Sequence, residues 1–246
     1  MQRTLAAVLQ QDGAMPRVLV TGSSGQVGGA VARRLEAAGW SVVRFDVADG
    51  HDVRDATQVS DAADGCDAIV HAAAIAHDSA GTPDEIMATN VLGTWHVLSA
   101  AEEHGVRKVV YFSSGQVFGC AEGEGVPDSL PIDDHHPLRV ARPYGMSKRL
   151  AEEMCEIWTR RTAVPTVVLR PVMILDDAAS ARSSPADLEY GAFVHLDDVV
   201  SATQLALATH LDGHVRMLLC GPGDFDSTVA RQTLGWRPQH GWPDVR

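Results

Sequence analysis

The segment ARPYGMSKRL, residues 141–150, places a tyrosine and a lysine four positions apart. The chain has just two lysines, Lys108 and Lys148, among 20 lysine and arginine residues, which indicates that a compact ammonium is needed here. On a helix, Tyr144 and Lys148 share one face. A phenol with a pKa of about 10 is a poor base at neutral pH, but a neighbouring ammonium favours the phenolate. The pair therefore predicts a proton-transfer device; the alternative is a buried tyrosine beside an exposed lysine.

The motif TGSSGQVG follows a short apolar run and precedes a helical pattern. Gly22, Gly25 and Gly28 let the turn close tightly and let a pyrophosphate approach N–H groups at the helix N-terminus. Asp46 ends the next β-rich run, where a carboxylate accepts hydrogen bonds from the adenosine ribose. Together these features predict a dinucleotide-binding site. An aspartate here repels a 2'-phosphate and favours NAD. Arg44, two residues earlier, is either a solvated charge at the strand edge or a cation that reaches the phosphate, which leaves NADP open.

The elements that position these residues alternate along the chain. Such alternation predicts an α/β fold with a parallel sheet covered on both faces, and the long aperiodic segment 119–143 is predicted to lie near the active site. A later helix is predicted to be capped by Asp197 or Asp198. The predicted strands lie at 17–20, 41–45, 68–70, in GVRKVVYFSS, in PTVVLRP and in RMLLC; the predicted helices follow the glycine turn and lie at 56–63, 85–103 and 144–161, with a short one ending at Gly235.

Composition limits the classes of function. With 246 residues, 45% of them hydrophobic, the chain has enough apolar content for one domain, predicted at 15–246 after an extension at 1–14. A net charge of -12 and a pI near 5.2 disfavour nucleic acid and anionic membranes as partners. Four cysteines without a CxxC pair predict neither a zinc site nor a disulfide framework, and favour the cytoplasm. No segment has the length of a signal peptide core or a membrane span.

From residue 15 onward the chain resembles the extended short-chain dehydrogenase/reductase family, known broadly as NAD-dependent epimerase/dehydratase. The motifs are TGSSGQVG, DVRD, IVHAAA, TNVLGTWHVLSAA, VVYFSSGQVFG, PIDDHHPLRVARPYGMSK, LRPVMI, FVHLDD and LGWRP, in the family's order. The resemblance implies a Rossmann-type doubly wound parallel sheet with a small, reduced substrate-binding part at 171–246. It also implies a homodimer that pairs the helices predicted at 85–103 and 144–161.

The resemblance implies three catalytic roles. Ser114 hydrogen-bonds the reacting oxygen, Tyr144 transfers its proton, and Lys148 holds the nicotinamide ribose and tunes Tyr144. Ser113 is the rival to Ser114, which is preferred because it stands five residues before Gly119. The cofactor-binding set implied in addition to the glycines, Asp46 and Lys148 comprises Asp52 and Val53 at the adenine, Ala72, Ala73 and Ala74 near the nicotinamide, and Ser24, Gln26, Val27 and Pro171.

Departures from the family pattern narrow the expected reaction. Dehydratases carry an acidic pair after the catalytic hydroxyl residue, where this chain has Gly115 and Gln116. The segment between LRP and FVH is short and acidic, with Arg182 its sole cation, so a nucleotide diphosphate finds few partners. We therefore expect an NAD(P)-dependent oxidoreductase, a ketone reductase or an alcohol or sugar dehydrogenase, that acts on a small non-nucleotide substrate. The alternatives are a sugar-nucleotide epimerase and a cofactor-binding regulator without turnover.

Histidines invite a metal site, but none is predicted. His135 with His136, and His71 with His77 and Asp78, lack a ligand set at metal spacing. The loop histidines are expected to be solvated, and Asn90 to have a structural helix role. His195 is expected to be a core or strand-end residue, with contact to the substrate as the alternative.

Overall fold

A computed structural model describes residues 15–120, 125–180 and 188–241. The predicted extension at 1–14 and Arg182 lie outside this range. The main sheet has six parallel strands in the order β2-β1-β3-β4-β5-β8, and a small second sheet pairs β6 with β7. The strands are β1 Arg17–Thr21, β2 Ser41–Phe45, β3 Ala68–His71, β4 Lys108–Phe112, β5 Thr166–Pro171, β6 Ile174–Leu175, β7 Val194–His195 and β8 His214–Leu219.

Helices connect these strands and lie on both sides of the main sheet, which confirms the predicted doubly wound α/β fold. Their bounds are α1 Gln26–Ala37, α2 Ala56–Ala63, α3 Pro83–Met87, α4 Gly93–Glu103, α5 Pro143–Thr162, α6 Asp177–Ser180, α7 Leu196–Ala208 and α8 Thr228–Leu234. The chain order reverses between β1 and β3, and the crevice at such a switch point is where doubly wound sheets bind ligands.

Alternate residues of the central strands supply two separate cores, because successive strand side chains point to opposite faces. Val18 and Val20 pack in the core beneath α1 and α7, whereas Leu19 packs in the core beneath α2, α4 and α5. A sheet that is buried on both faces requires near-continuous apolar strands. That requirement explains why β1, β3 and β4 read as apolar runs rather than as alternating patterns.

The helix predicted at 85–103 is interrupted. A π-helical turn at Ala88–Leu92 lies between α3 and α4, and it contains the buried residue Asn90. Asn90 has the structural role predicted for it: its Oδ1 accepts from the Ile75 N–H at 2.8 Å, and its Nδ2 donates to the Ile75 carbonyl at 3.0 Å. Nδ2 also donates to Ser147 Oγ at 2.9 Å, which joins this turn to α5.

The predicted cap of α7 is wrong. The N-cap is His195, whose Nδ1 accepts a hydrogen bond from the Asp197 N–H at 3.2 Å. Asp198 is buried instead, and its carboxylate accepts from the N–H groups of Gln239 and His240 at 2.9 and 3.0 Å. Asp198 therefore anchors the segment after α8 to the first turn of α7.

Candidate active site

The glycine turn closes against the end of β3. Gly22 has φ +70, and a Cβ there would lie 2.7 Å from the Ala73 nitrogen. A Cβ on Gly28 would lie 2.2 Å from the Gly22 carbonyl oxygen, so neither position accommodates a side chain. α1 begins directly after the turn, and its N-cap, Gly25, makes no side-chain capping bond. The backbone thus presents the end of a helix to a narrow space, which suits a phosphate group.

A cleft of about 590 Å³ opens beside this turn, between the ends of β1, β2 and β3. Nine residues predicted to bind the cofactor line it: Gly22, Ser24, Gly25, Asp46, Asp52, Val53, Ala72, Ala73 and Ala74. The lining also includes residues that the sequence did not single out, among them Phe45, His51, Arg54, Ile75 and Thr89. Gln26, Val27, Gly28, Lys148 and Pro171, which were also predicted, are not part of this lining.

Asp46 follows β2 at the cleft, with its carboxylate turned to the glycine turn. It accepts hydrogen bonds from the Ser24 N–H at 3.0 Å and from the Ala48 N–H at 2.9 Å. Arg44 forms a bidentate ion pair with Glu36 of α1, and its third guanidinium nitrogen donates to the Ser23 carbonyl of the turn. Asp52 pairs with Arg54, and the hydrogen bond from that guanidinium lowers the pKa of the Asp52 carboxyl.

Tyr144 and Lys148 lie on the buried face of α5, with exposed fractions of 7% and 3%. The alternative that the sequence left open, an exposed lysine beside a buried tyrosine, is therefore wrong. Lys148 Nζ donates to the carbonyl of Phe112 at the end of β4, at 2.8 Å, and lies 5.9 Å from the centroid of the Tyr144 ring. Burial lowers the pKa of Lys148 to about 7, an effect that the charge of Glu152 partly offsets.

The two candidate serines differ in environment. Ser113 is buried, and its N–H donates to the Leu169 carbonyl at 2.8 Å, as part of the sheet. Ser114 is partly exposed and caps the short 3-10 turn Gly115–Phe118, with its Oγ accepting from the Gln116 N–H at 3.2 Å. Its accessibility at the end of β4 favours Ser114 as the residue that meets a substrate.

Asp78 positions the start of α5, a role that the sequence pattern did not indicate. Its Oδ1 accepts from the N–H of Tyr144 at 2.8 Å. Pro143 occupies the first turn and has no N–H to offer, and the residue before it, Arg142, is not of a capping type. A carboxylate from the β3–α3 loop thus performs the capping function, and it ties α5 to the loop that continues the cleft.

A second fixed chain of hydrogen bonds links the cleft to this helix layer. Thr94 Oγ1 donates to the Asn90 carbonyl at 2.6 Å, so the proton between Thr94 and His71 comes from His71 Nε2. His71 Nδ1 then accepts from Thr21 Oγ1 at 2.7 Å, and Thr21 Oγ1 accepts from the Ala73 N–H at 3.2 Å. Burial lowers the pKa of His71 to about 3, which keeps this imidazole neutral.

A buried ion pair lies below Lys148. Arg170 of β5 donates to both carboxylate oxygens of Glu152, at 2.8 and 2.6 Å, one helical turn after Lys148. Asp134 faces the same guanidinium at 3.6 Å, and burial raises its pKa to about 6. The arrangement holds α5 to β5, and therefore holds Tyr144 and Lys148 against the end of the sheet.

The loop histidines were expected to be solvated, which is wrong for His136. It is buried, its Nε2 accepts from the Asp128 N–H at 3.0 Å, and its ring meets Phe118 edge-on. Because both nitrogens bond within the loop, with Nδ1 donating to the Pro137 carbonyl at 3.1 Å, His136 organises the segment that precedes α5.

Among residues 15–120, 125–180 and 188–241, the potential metal-ligand atoms of His195, Asp197 and His240 lie within 4.8 Å of one another. The two imidazole rings stack at 4.2 Å with 22° between their planes. Nitrogen lone pairs lie in the ring plane, so stacked rings do not converge on one ion. The prediction that the protein has no metal remains a prediction.

The chain is similar to several known proteins. The family model described as "NAD dependent epimerase/dehydratase family" matches residues 18–175. A uronate dehydrogenase of Pseudomonas syringae pv. tomato is 30% identical over 131 residues, which cover 53% of this chain and 44% of the relative. A UDP-glucose 4-epimerase of Bacillus subtilis is 34% identical over 77 residues, 31% of this chain and 21% of the relative. The chain spans less than half the length of these curated relatives.

One solved structure matches a larger share of this chain than these two curated relatives do. The crystal structure of a short-chain dehydrogenase/reductase superfamily protein from Agrobacterium tumefaciens, with bound NAD, has a TM-score of 0.76 and 25% sequence identity. The similarity covers 92% of this chain and 93% of that chain.

Proposed function

Since this chain belongs to the NAD dependent epimerase/dehydratase family, we propose that it is an NAD-dependent oxidoreductase acting on a small substrate through Ser114, Tyr144 and Lys148. One observation carries the proposal: Tyr144 and Lys148 are buried on one face of α5, with Nζ 5.9 Å from the centroid of the phenol ring, at the same sheet edge as the cleft. A protein that only senses a dinucleotide needs the glycine turn but not this pair.

The residues of the cleft fit NAD. The turn at Gly22 and Gly28 has no room for side chains and leaves N–H groups of α1 for the pyrophosphate. Asp46 has the position and charge to accept hydrogen bonds from the adenosine ribose. When bound, NAD supplies a hydride acceptor or donor, and it is the protein that provides orientation and proton transfer.

Proton transfer falls to Tyr144, whose hydroxyl gives or takes the proton at the substrate oxygen. Lys148 holds an ammonium near that phenol, and the positive charge favours the form of Tyr144 that has lost its proton. In this proposal, Ser114 Oγ donates a hydrogen bond to the same substrate oxygen. The Phe112 carbonyl and the ion pair of Glu152 with Arg170 keep these groups in place.

We propose a compact substrate, with a free sugar or a uronic acid as the first candidates. The described parts of the segment after β5, residues 172–180 and 188–192, contain no lysine or arginine, and they include Asp176 and Asp177. Arg182, outside the described residues, is the sole cation of the whole segment. A diphosphate leaving water would therefore find few partners there, and an unpaired buried charge costs several kcal/mol. The similarity to a uronate dehydrogenase supports a free sugar acid.

The second candidate function, a sugar-nucleotide epimerase, is favoured by the similarity to UDP-glucose 4-epimerase. An epimerase oxidises and reduces the same carbon, so it leaves the amount of NADH unchanged. The test is to follow NADH absorbance with glucuronate, galacturonate, their parent aldoses and UDP-glucose. We expect net NADH with a free sugar or sugar acid and no saturable binding of UDP-glucose by calorimetry. UDP-glucose converted without net NADH would replace our proposal with the epimerase.

We further propose that the protein is a cytoplasmic homodimer. Cys66, Cys155 and Cys220 are buried free thiols, which suits a reducing compartment. Large apolar side chains are exposed on the two helices that the family resemblance pairs, with exposed fractions of 47% for Trp95, 44% for Leu150 and 57% for Ile157. A second copy of the chain would cover them. Within the described ranges, none of the helices is both long and apolar enough to span a bilayer.

A further inference from the structure

Arg44 is the cation nearest in sequence to the carboxylate that is proposed to read the cofactor ribose. Its guanidinium is held by Glu36: Nε donates to Oε1 and Nη2 to Oε2, both at 2.9 Å. Nη1 donates to the Ser23 carbonyl at 3.3 Å. All three guanidinium nitrogens therefore have partners on α1 and the glycine turn.

Arg44 and Asp46 meet that turn at neighbouring residues. Arg44 binds the carbonyl of Ser23, and Asp46 accepts from the N–H of Ser24 at 3.0 Å. Asp49 adds a further carboxylate, which accepts from Ser24 Oγ at 3.4 Å. Glu36, Asp46 and Asp49 thus place three carboxylates around the glycine turn and the Arg44 guanidinium, while Arg33 is a second cation whose charge acts on Glu36. Three carboxylates against two guanidinium groups leave a net negative charge, which opposes a 2'-phosphate.

We propose that Glu36 is a specificity-determining residue, which keeps Arg44 from a 2'-phosphate and thereby enforces the choice of NAD over NADP. The inference rests on the proposed function, since it assumes that the cleft binds the dinucleotide. A bidentate carboxylate satisfies the planar fork of arginine as a phosphate would, so Glu36 and the 2'-phosphate are competing partners for one guanidinium. Without the Glu36 carboxylate, Nε and Nη2 gain the freedom to bind the phosphate.

The test is a double-mutant cycle of Glu36→Gln and Arg44→Met, read by calorimetric binding of NAD and NADP at low ionic strength. We expect Glu36→Gln to lower the Kd for NADP about fivefold or more and to leave the Kd for NAD within about twofold. The Glu36–Arg44 ion pair is exposed, so its loss costs little, and the 2'-phosphate of NADP gains one charge-assisted contact with Arg44. In the Arg44→Met background, Glu36→Gln should give a smaller gain. Asp61→Asn, an exposed acid on α2, controls for total charge and should change neither Kd.

The outcomes separate the two proposals. Equal tightening of NADP with and without Arg44 would mean that Glu36 acts by charge alone, and it would overturn the inference. Unchanged NADP binding in Glu36→Gln, with NAD bound normally, would also overturn it while leaving the proposed function intact. If the wild-type protein fails to bind NAD, the proposed function fails and this inference fails with it. Raised salt should shrink the gain, since it screens exposed charges.

Discussion

Both lysines of this chain are partly or fully buried, and both donate to backbone carbonyl oxygens. Lys108 Nζ donates to the carbonyls of Ala206, Leu207 and Thr209 at the end of α7, and Lys148 Nζ donates to that of Phe112. An ammonium has three donors that spread around one point, whereas a guanidinium donates in a plane. Only Lys148 is proposed as a site residue, so the rarity of lysine does not by itself distinguish a site residue from a structural one.

At Tyr144, replacement by phenylalanine removes the hydroxyl and keeps the ring. We expect turnover to fall at least about a hundredfold, the usual loss for a positioned acid or base, with the Kd for NAD unchanged. Initial rates with saturating substrate and calorimetry with NAD measure the two effects, and thermal unfolding checks the fold. Full turnover in Tyr144→Phe would remove this residue from the mechanism.

At Lys148, the buried ammonium is expected to cost stability. Its pKa is about 7 in the folded protein, against an ordinary value of 10.5. Between these values the unfolded chain binds more protons, so stability rises with pH through this window, and the cost is fully present below pH 7. We expect Lys148→Met to abolish turnover yet raise the free energy of unfolding at pH 6, by up to about 5 kcal/mol.

The measurement is urea unfolding of Lys148→Met and wild type at pH 6 and pH 9. The gain should be smaller at pH 9, where the folded wild-type lysine has lost most of its charge. If Lys148→Met were less stable than wild type at both pH values, the buried ammonium of Lys148 would not be costing the protein stability.

At the scale of elements, the N-terminus of α5 is capped by a residue from a different part of the chain. Asp78 caps it from the β3–α3 loop, and Asp55 offers a matched control because it caps α2 by accepting from the N–H groups of Thr57 and Gln58. We expect Asp78→Ala and Asp55→Ala each to lower the free energy of unfolding by about 1 kcal/mol. Turnover at saturating NAD should fall only in Asp78→Ala, since only that cap ends at Tyr144. Equal turnover in the two variants would mean that Asp78 contributes to stability but does not position Tyr144 for turnover.

The hydrogen-bond chain through His71 joins β1, β3 and α4, and it requires a neutral imidazole. Burial lowers the pKa of His71 to about 3 from an ordinary 6.5. Between these pH values the unfolded chain binds a proton that the folded protein does not, so stability is lost as pH falls through this window. The His71→Gln variant has no imidazole at this position to take up a proton in this pH range. We expect wild type to lose about 2 kcal/mol more than His71→Gln between pH 6.5 and pH 5, by urea unfolding. Parallel pH profiles would contradict the buried neutral histidine.

At the scale of the whole molecule, the exposed apolar side chains of α4 and α5 predict association. Ile157→Glu places a charge where a second copy would pack, and we expect it to shift a dimer to monomer in sedimentation experiments. Val126→Glu is the matched control, because Val126 is 80% exposed on the loop before α5 and lies on neither helix. A wild-type monomer, or a dimer that survives Ile157→Glu, would argue against this interface.

Local patterns in the sequence determined the parts of the molecule that depend on neighbouring residues. The strand, glycine turn and helix at 17–37 follow from apolar runs and from the steric limits of Gly22 and Gly28. The shared face of Tyr144 and Lys148 follows from helical spacing, and the alternation of strands and helices predicted a parallel sheet covered on both faces. These features are local because backbone sterics and side-chain periodicity act within a few residues.

Tertiary structure decided what depends on partners far along the chain. Asp78 reaches Tyr144 across 66 positions, His71 meets Thr21 across 50, and Asp198 binds the backbone of His240 across 42. By sequence alone, Arg44 could reach a 2'-phosphate or remain a solvated charge at the strand edge, and the packing of α1 beside β2 settled its pairing with Glu36. Buried polar groups take whichever partner the fold brings within reach, because leaving one unpaired costs free energy. No local pattern encodes that choice.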